Sequence, residues 1–190
     1  MGFMNLPNIL TLLRILMLPV IGCVFFMEPV WGAAAAWTAF AIYALAALTD
    51  FLDGYLARKW NQITPFGTFL DPISDKVFVA AMLVLLVGFG RLPDIWMVPV
   101  ILILAREFLV SGLREYLGPM GISLPVTKLA KWKTAVQMIA TALLVIGPHL
   151  PYVLEAGRWG LVIAALLTVV TGWIYLRGSW GYITRGAGNA

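Results

Sequence analysis

The chain has 190 residues, 62% of them hydrophobic and 12% charged, with a formal net charge of +4 and a mean hydropathy of +0.93. A soluble domain carries about 25% charged residues, so a water-soluble globule and a disordered chain are both excluded. Six spans of about 20 residues need ~120 residues, which leaves room for one helical membrane domain and none for a second, soluble one.

Apolar runs of spanning length occur at 8–27, 33–57, 70–90, 94–117, 131–148 and 158–177. The first contains Arg14 and continues past Pro19, so it reads as a retained span rather than a cleaved signal. The second is rich in small residues, among them Ala44, Ala46, Ala47, Gly54 and Ala57, which let helices approach closely. The third holds Asp71 and Asp75. In the fourth, Arg106 and Glu107 lie about 12 residues past Asp94, or ~18 Å along a helix. Lys128, Lys131 and Lys133 open the fifth, with Gln137 four residues on, and the sixth ends at Arg177.

The runs are broken by Pro, Gly or charge at Glu28-Pro29, 58–65, 91–94, 118–128 and 148–157. Backbone groups in hydrocarbon must be satisfied internally and no alternating strand pattern is present, so helices are expected throughout. The expected architecture is all-α and polytopic: a single six-helix transmembrane catalytic domain at 1–177 and a glycine-containing cytoplasmic tail at 178–190. The lone cysteine, Cys23, excludes an intrachain disulfide and a multi-cysteine metal site. His149, between Pro148 and Leu150 and on the far side from the aspartates of 50–75, reads as a loop residue.

Eleven of the 13 basic residues fall to one side of six spans, Arg91 and Arg158 to the other. By the positive-inside rule the first side is cytoplasmic, and so are both termini. The basic residues flank apolar runs and form no polar stripe, which suits anionic headgroups and speaks against a nucleic-acid partner.

The chemistry concentrates in residues 50–75. Asp50 and Asp53 are spaced i, i+3 and Asp71 and Asp75 i, i+4, so each pair shares a helix face. A short connection makes the two helices antiparallel neighbours, and four carboxylates then converge at one membrane depth. Intramembrane carboxylates are functional by default, and hard oxygen ligands suit magnesium or manganese. Two such ions about 4 Å apart form a common clamp for phosphoryl transfer. Asp71 has the alternative reading of a helix N-cap before Pro72.

The string Asp50-x2-Asp53-Gly54-x2-Ala57-Arg58-x8-Gly67-x3-Asp71-x3-Asp75 resembles the signature of the CDP-alcohol phosphatidyltransferases at every fixed position. That resemblance implies transfer of a phosphatidyl group from a CDP-linked lipid to an alcohol, with release of CMP, at the cytoplasmic face of the membrane. It implies Asp50, Asp53, Asp71 and Asp75 as ligands of two Mg2+ or Mn2+ ions, with Asp75 also the general base. Gly54, Ala57 and Gly67 would leave room for the cytidine, and Arg58 would face the pyrophosphate, with Asp50 beside the CDP-lipid.

Arg106, Arg114, Lys131 and Lys133 add a basic group that a phosphate-bearing acceptor needs and a neutral alcohol does not. Arg106 has the alternative of an ion pair with Glu107 or a neighbouring helix. The wording of 5–14, 106–115 and 131–138 resembles the bacterial branch of the family that joins CDP-diacylglycerol to sn-glycerol 3-phosphate, which implies the bacterial inner membrane. Arg106, Arg114, Lys131 and Lys133 are then the acceptor-phosphate ligands, membrane lipids surround the protein, and a homodimer is implied by the family alone. Asn8, Thr11 and Arg14 read equally as a pocket edge or as a helix start and a snorkelling arginine. Alternatives are another acceptor (serine, inositol phosphate or phosphatidylglycerol) and, in a different class, an intramembrane cation transporter.

Overall fold

Apolar sequence satisfies its backbone most simply within helices, and every element described is helical. A computed structural model describes residues 5–60, 64–122 and 128–185, with the side chains of residues 51, 53–58, 128 and 185 outside the description. The helices are α1 (Leu6–Phe26), the short α2 (Glu28–Trp31), α3 (Ala33–Lys59), α4 (Pro65–Gly88), α5 (Met97–Leu117), α6 (Lys128–Ile146) and α7 (Val153–Arg185). Single tight turns at Asp94–Trp96, Gly118–Met120 and Gly147–His149 precede or follow them.

Three boundaries differ from expectation by five residues or more, one of them the start of α7, at Val153 rather than 158. The third run begins its helix at Pro65, not at 70, because Thr64 caps it: the Thr64 hydroxyl accepts the Gly67 N–H at 3.0 Å, and proline is pre-organised for the first helical position. Asp71 is therefore an interior residue of α4 and not its N-cap. At the other end of the chain, residues 178–185, expected as tail, continue α7. Gly178 and Gly181 weaken a helix, but Ser179 is fully buried, so packing carries the helix through them.

The chain divides into two compact units. One comprises Met1–Pro93 and Thr141–Gly157, the other Asp94–Ala140 and Arg158–Ala190. In the first, α1 packs on α3 and α4. Ala35, Ala36, Ala39 and Ala46 are at most 3% exposed, and this small-residue face of α3 admits Leu18, Ile21 and Phe25 of α1 into the core. Tyr43 stacks on Phe78 at 5.7 Å between ring centroids. In the second unit, Val110, Leu113 and Leu117 of α5 pack with Tyr175 of α7.

Five stretches, Leu6–Phe26, Ala33–Asp50, Asp94–Met120, Leu129–His149 and Val153–Thr184, are helices long and apolar enough to cross a membrane. Their outer faces carry large exposed apolar side chains, including Leu16, Ile101, Phe108, Ile139, Leu166 and Trp173. Such surface is an aggregation liability in water and a match for hydrocarbon. The chain is an integral membrane protein. α4 has 24 residues, long enough to span at 1.5 Å per residue, but Asp71, Asp75 and Lys76 sit in its first half and lower its apolarity.

Candidate active site

α1 carries Asn8, Thr11 and Arg14 at three-residue spacing, on one helix face, and none is more than 3% exposed. That face lies along the first half of α4, residue against residue. Asn8 Nδ2 donates to Thr64 Oγ1 at 2.9 Å. Thr11 Oγ1 donates to Asp71 Oδ1 at 3.0 Å, with the Pro7 carbonyl also in reach at 3.1 Å. Arg14 Nη1 donates to Asp75 Oδ1 at 2.5 Å and reaches Ser74 Oγ at 3.3 Å. Numbers rise together along both helices, so α1 and α4 run parallel here. The same Arg14 nitrogen pairs with Asp50 Oδ1, which α3 brings in from its second half.

Three of the four aspartates expected at the site thus belong to one cluster held by α1. The backbone of α3 carries Asp53, Gly54, Ala57 and Arg58 in the two turns after Asp50, but their side chains lie outside the described residues. Gly67 is in place for a different close approach from the one expected. A Cβ there would stand 2.7 Å from Asn8 Oδ1, so its missing side chain admits Asn8. Arg14 does not snorkel: its side chain is 3% exposed, while those of Asp50 and Asp75 are 41% and 54% exposed.

Among the described residues no three Asp, Glu, His or Cys side chains converge closely enough to hold a metal ion by themselves. Two accessible carboxylates on different helices nevertheless meet at one guanidinium nitrogen, and hard oxygen donors so placed fit magnesium or manganese.

The expected acceptor cations lie in the second unit. Arg106 Nη1 donates to Glu107 Oε1 at 3.0 Å and Nη2 to Thr171 Oγ1 at 3.2 Å. Lys133, nearly buried, donates to the same Glu107 oxygen. The pairing of Arg106 with Glu107 is real, yet one carboxylate faces two cations and leaves an excess positive charge. Arg106 and Arg114 flank the Tyr175 ring, their guanidinium carbons 5.6 and 5.7 Å from its centroid, within cation–π range. Lys131 is exposed. Gln137 is 5% exposed, and its Oε1 is buried without a hydrogen-bond partner.

Sequence reasoning undervalued Arg14, although it is the one charge in α1, and passed over Thr64 although Thr-Pro is a helix-start signal. Ser74, Thr171, Gly172 and Tyr175 gave no local signal, because their roles depend on which helix they meet.

The family model for "CDP-alcohol phosphatidyltransferase" matches residues 4–172. The chain belongs to the CDP-alcohol phosphatidyltransferases. This phosphatidyltransferase is similar to a protein of Rickettsia bellii, 44% identical across 91% of this chain and 94% of that one. It is also 40% identical to a protein of Cereibacter sphaeroides, across 94% and 97%, and to one of Escherichia coli K12, across 87% and 89%. All three carry the name CDP-diacylglycerol–glycerol-3-phosphate 3-phosphatidyltransferase. Membership of the phosphatidyltransferases makes the chain an enzyme and removes the cation-transporter alternative.

Proposed function

We propose that this phosphatidyltransferase moves the phosphatidyl group of CDP-diacylglycerol to sn-glycerol 3-phosphate, giving phosphatidylglycerophosphate and CMP. The observation that carries the acceptor is the shared name of relatives aligned over nearly the whole chain; the excess positive charge around Glu107 supports it. Serine or a neutral alcohol would leave that excess uncompensated.

Asp50, Asp53, Asp71 and Asp75 would hold two Mg2+ or Mn2+ ions, which when bound neutralise the donor pyrophosphate and the departing CMP. Asp75 accepts the proton of the acceptor hydroxyl as its oxygen attacks the phosphatidyl phosphorus. The phosphorus–oxygen bond to CMP breaks in the same displacement, and no covalent enzyme intermediate is needed. Arg58 would face the pyrophosphate, and Gly54 and Ala57 would leave space for the cytidine. Arg106, Arg114, Lys131 and Lys133 take the acceptor's phosphate, for which guanidinium forks are well shaped. Thr11 orients Asp71.

In this reading α4 is a sixth span and the acidic cluster opens to the cytoplasmic face of a bacterial inner membrane, with both termini on that side. Residues 1–177 serve one catalytic function, and the working form is a homodimer.

Detergent-purified protein, given CDP-diacylglycerol and Mg2+ or Mn2+, should release CMP with sn-glycerol 3-phosphate and not with serine or inositol phosphate. Equal turnover with either of those would overturn the acceptor. Asp75→Asn should abolish turnover while the melting profile stays cooperative, and retained turnover would remove Asp75 as base.

A further inference from the structure

Arg14 is a buried charge in a helix otherwise free of charge. A guanidinium carries its charge permanently, so removing it from water is costly unless it is well paired. Arg14 Nη1 meets Asp50 Oδ1 from α3, Asp75 Oδ1 from α4 and the Ser74 hydroxyl. Oxygens of separate helices converge on one positive centre, as they would on a small cation. The exposure is arranged in the same sense. The carboxylates are about half exposed while Arg14 is sealed beneath them, so an arriving ion can reach the oxygens from the open side.

We infer that Arg14 is a positioning residue, a resident counter-cation that holds Asp50 and Asp75 together before a divalent ion binds and gives up or shares them when it does. The inference rests on the reading of these aspartates as metal ligands. Without Arg14 the Asp50 and Asp75 carboxylates, two like charges from neighbouring helices, lose the cation they share, and the metal-free protein is the form that suffers. Metal entry into the native protein is then an exchange of cations, weaker than entry into a site whose carboxylates are unpaired.

The test uses the full chain in detergent with Mn2+ as the probe. Its affinity is read from the spectrum of the free ion, and melting temperature is followed in chelator and in Mn2+. Arg14→Gln should melt lower than the native protein in chelator, recover most of the difference in Mn2+, and bind Mn2+ about tenfold tighter, the worth of one charged hydrogen bond at ~1.5 kcal/mol. Arg14→Lys keeps a single positive nitrogen and should follow the native protein in both measurements.

An unchanged Mn2+ affinity in Arg14→Gln, or an equal loss of stability with and without Mn2+, would overturn the inference. If Arg14→Gln does not fold in either condition, Arg14→Lys decides. Native-like behaviour supports the point-charge role, and destabilisation that Mn2+ does not repair refutes it. Failure of the native protein and both variants to bind Mn2+ would instead sink the metal-ligand reading beneath it.

Discussion

Arg106 holds its place because residue 172 has no side chain. A Cβ on Gly172 would stand 2.8 Å from Arg106 Cγ, near the root of the arginine and not its flexible tip, so the whole side chain must shift. The guanidinium would then lose its geometry on Thr171 and over Tyr175. Gly172→Ala is expected to raise KM for sn-glycerol 3-phosphate about tenfold, the worth of one charged hydrogen bond at ~1.5 kcal/mol, with kcat nearly unchanged. Steady-state CMP release across acceptor concentrations measures it, and an unaltered KM would return Arg106 to a purely structural pair with Glu107. The contrast with the aspartates explains what was legible at this scale. Asp50, Asp71 and Asp75 stand out because their spacing is local and repeats a family pattern. Gly172, 66 residues from Arg106 in the chain, acquires its role only where two helices meet. Arg14 falls between: its oddity is visible in sequence, but its partners are not.

Among the elements, the turn joining α6 to α7 is built on near contact of backbones. A Cβ on Gly147 would stand 2.6 Å from Leu154 Cα, and one on Gly157 would stand 2.9 Å from Leu144 Cγ and 3.0 Å from Leu144 N. Glycine at these positions is what lets the two helices approach. Gly157→Ala should therefore lower stability by about 1–3 kcal/mol, the usual range for overpacking. Gly178, also in α7, has nothing within 4 Å of its would-be Cβ. Gly178→Ala should be neutral or stabilising by up to ~1 kcal/mol, since alanine favours the helix. Thermal melts of the two variants in one detergent compare them directly; equal losses would mean that helix propensity, not the close approach, governs α7. Hydropathy located the six long helices, because burial in lipid imposes an apolar length, but read the short α2 as a break. It could not fix the start of α4 or the end of α7, where the Thr64 cap and the buried Ser179 decide the boundary.

At the scale of a whole compact unit, the helix ends remote from the aspartates carry charge of their own. In the first compact unit the segment after α1 supplies Glu28, the segment after α4 supplies Arg91, and the turn after α6 supplies His149. Arg91 Nη2 donates to both Glu28 oxygens at 2.6 and 2.5 Å, and His149 Nε2 lies 2.8 Å from Oε1. His149, expected as an ordinary loop residue, is thus a partner in a three-way tie between connections distant in sequence. Burial alone would raise the Glu28 carboxyl, but the hydrogen bonds and charges of Arg91 and His149 outweigh it and hold its pKa below the ordinary 4.5. A carboxyl depressed in the folded state contributes stability that is fully present above its unfolded value. That contribution is lost as pH falls through the lower, folded value. Glu28→Gln leaves Arg91, only 9% exposed, without its carboxylate and should cost about 2 kcal/mol at neutral pH. The gap in melting temperature between native protein and Glu28→Gln should be present at neutral pH and close as pH falls below about 4.5. A gap that does not change with acidification would show that Glu28 acts through packing alone and that the tie carries no charge.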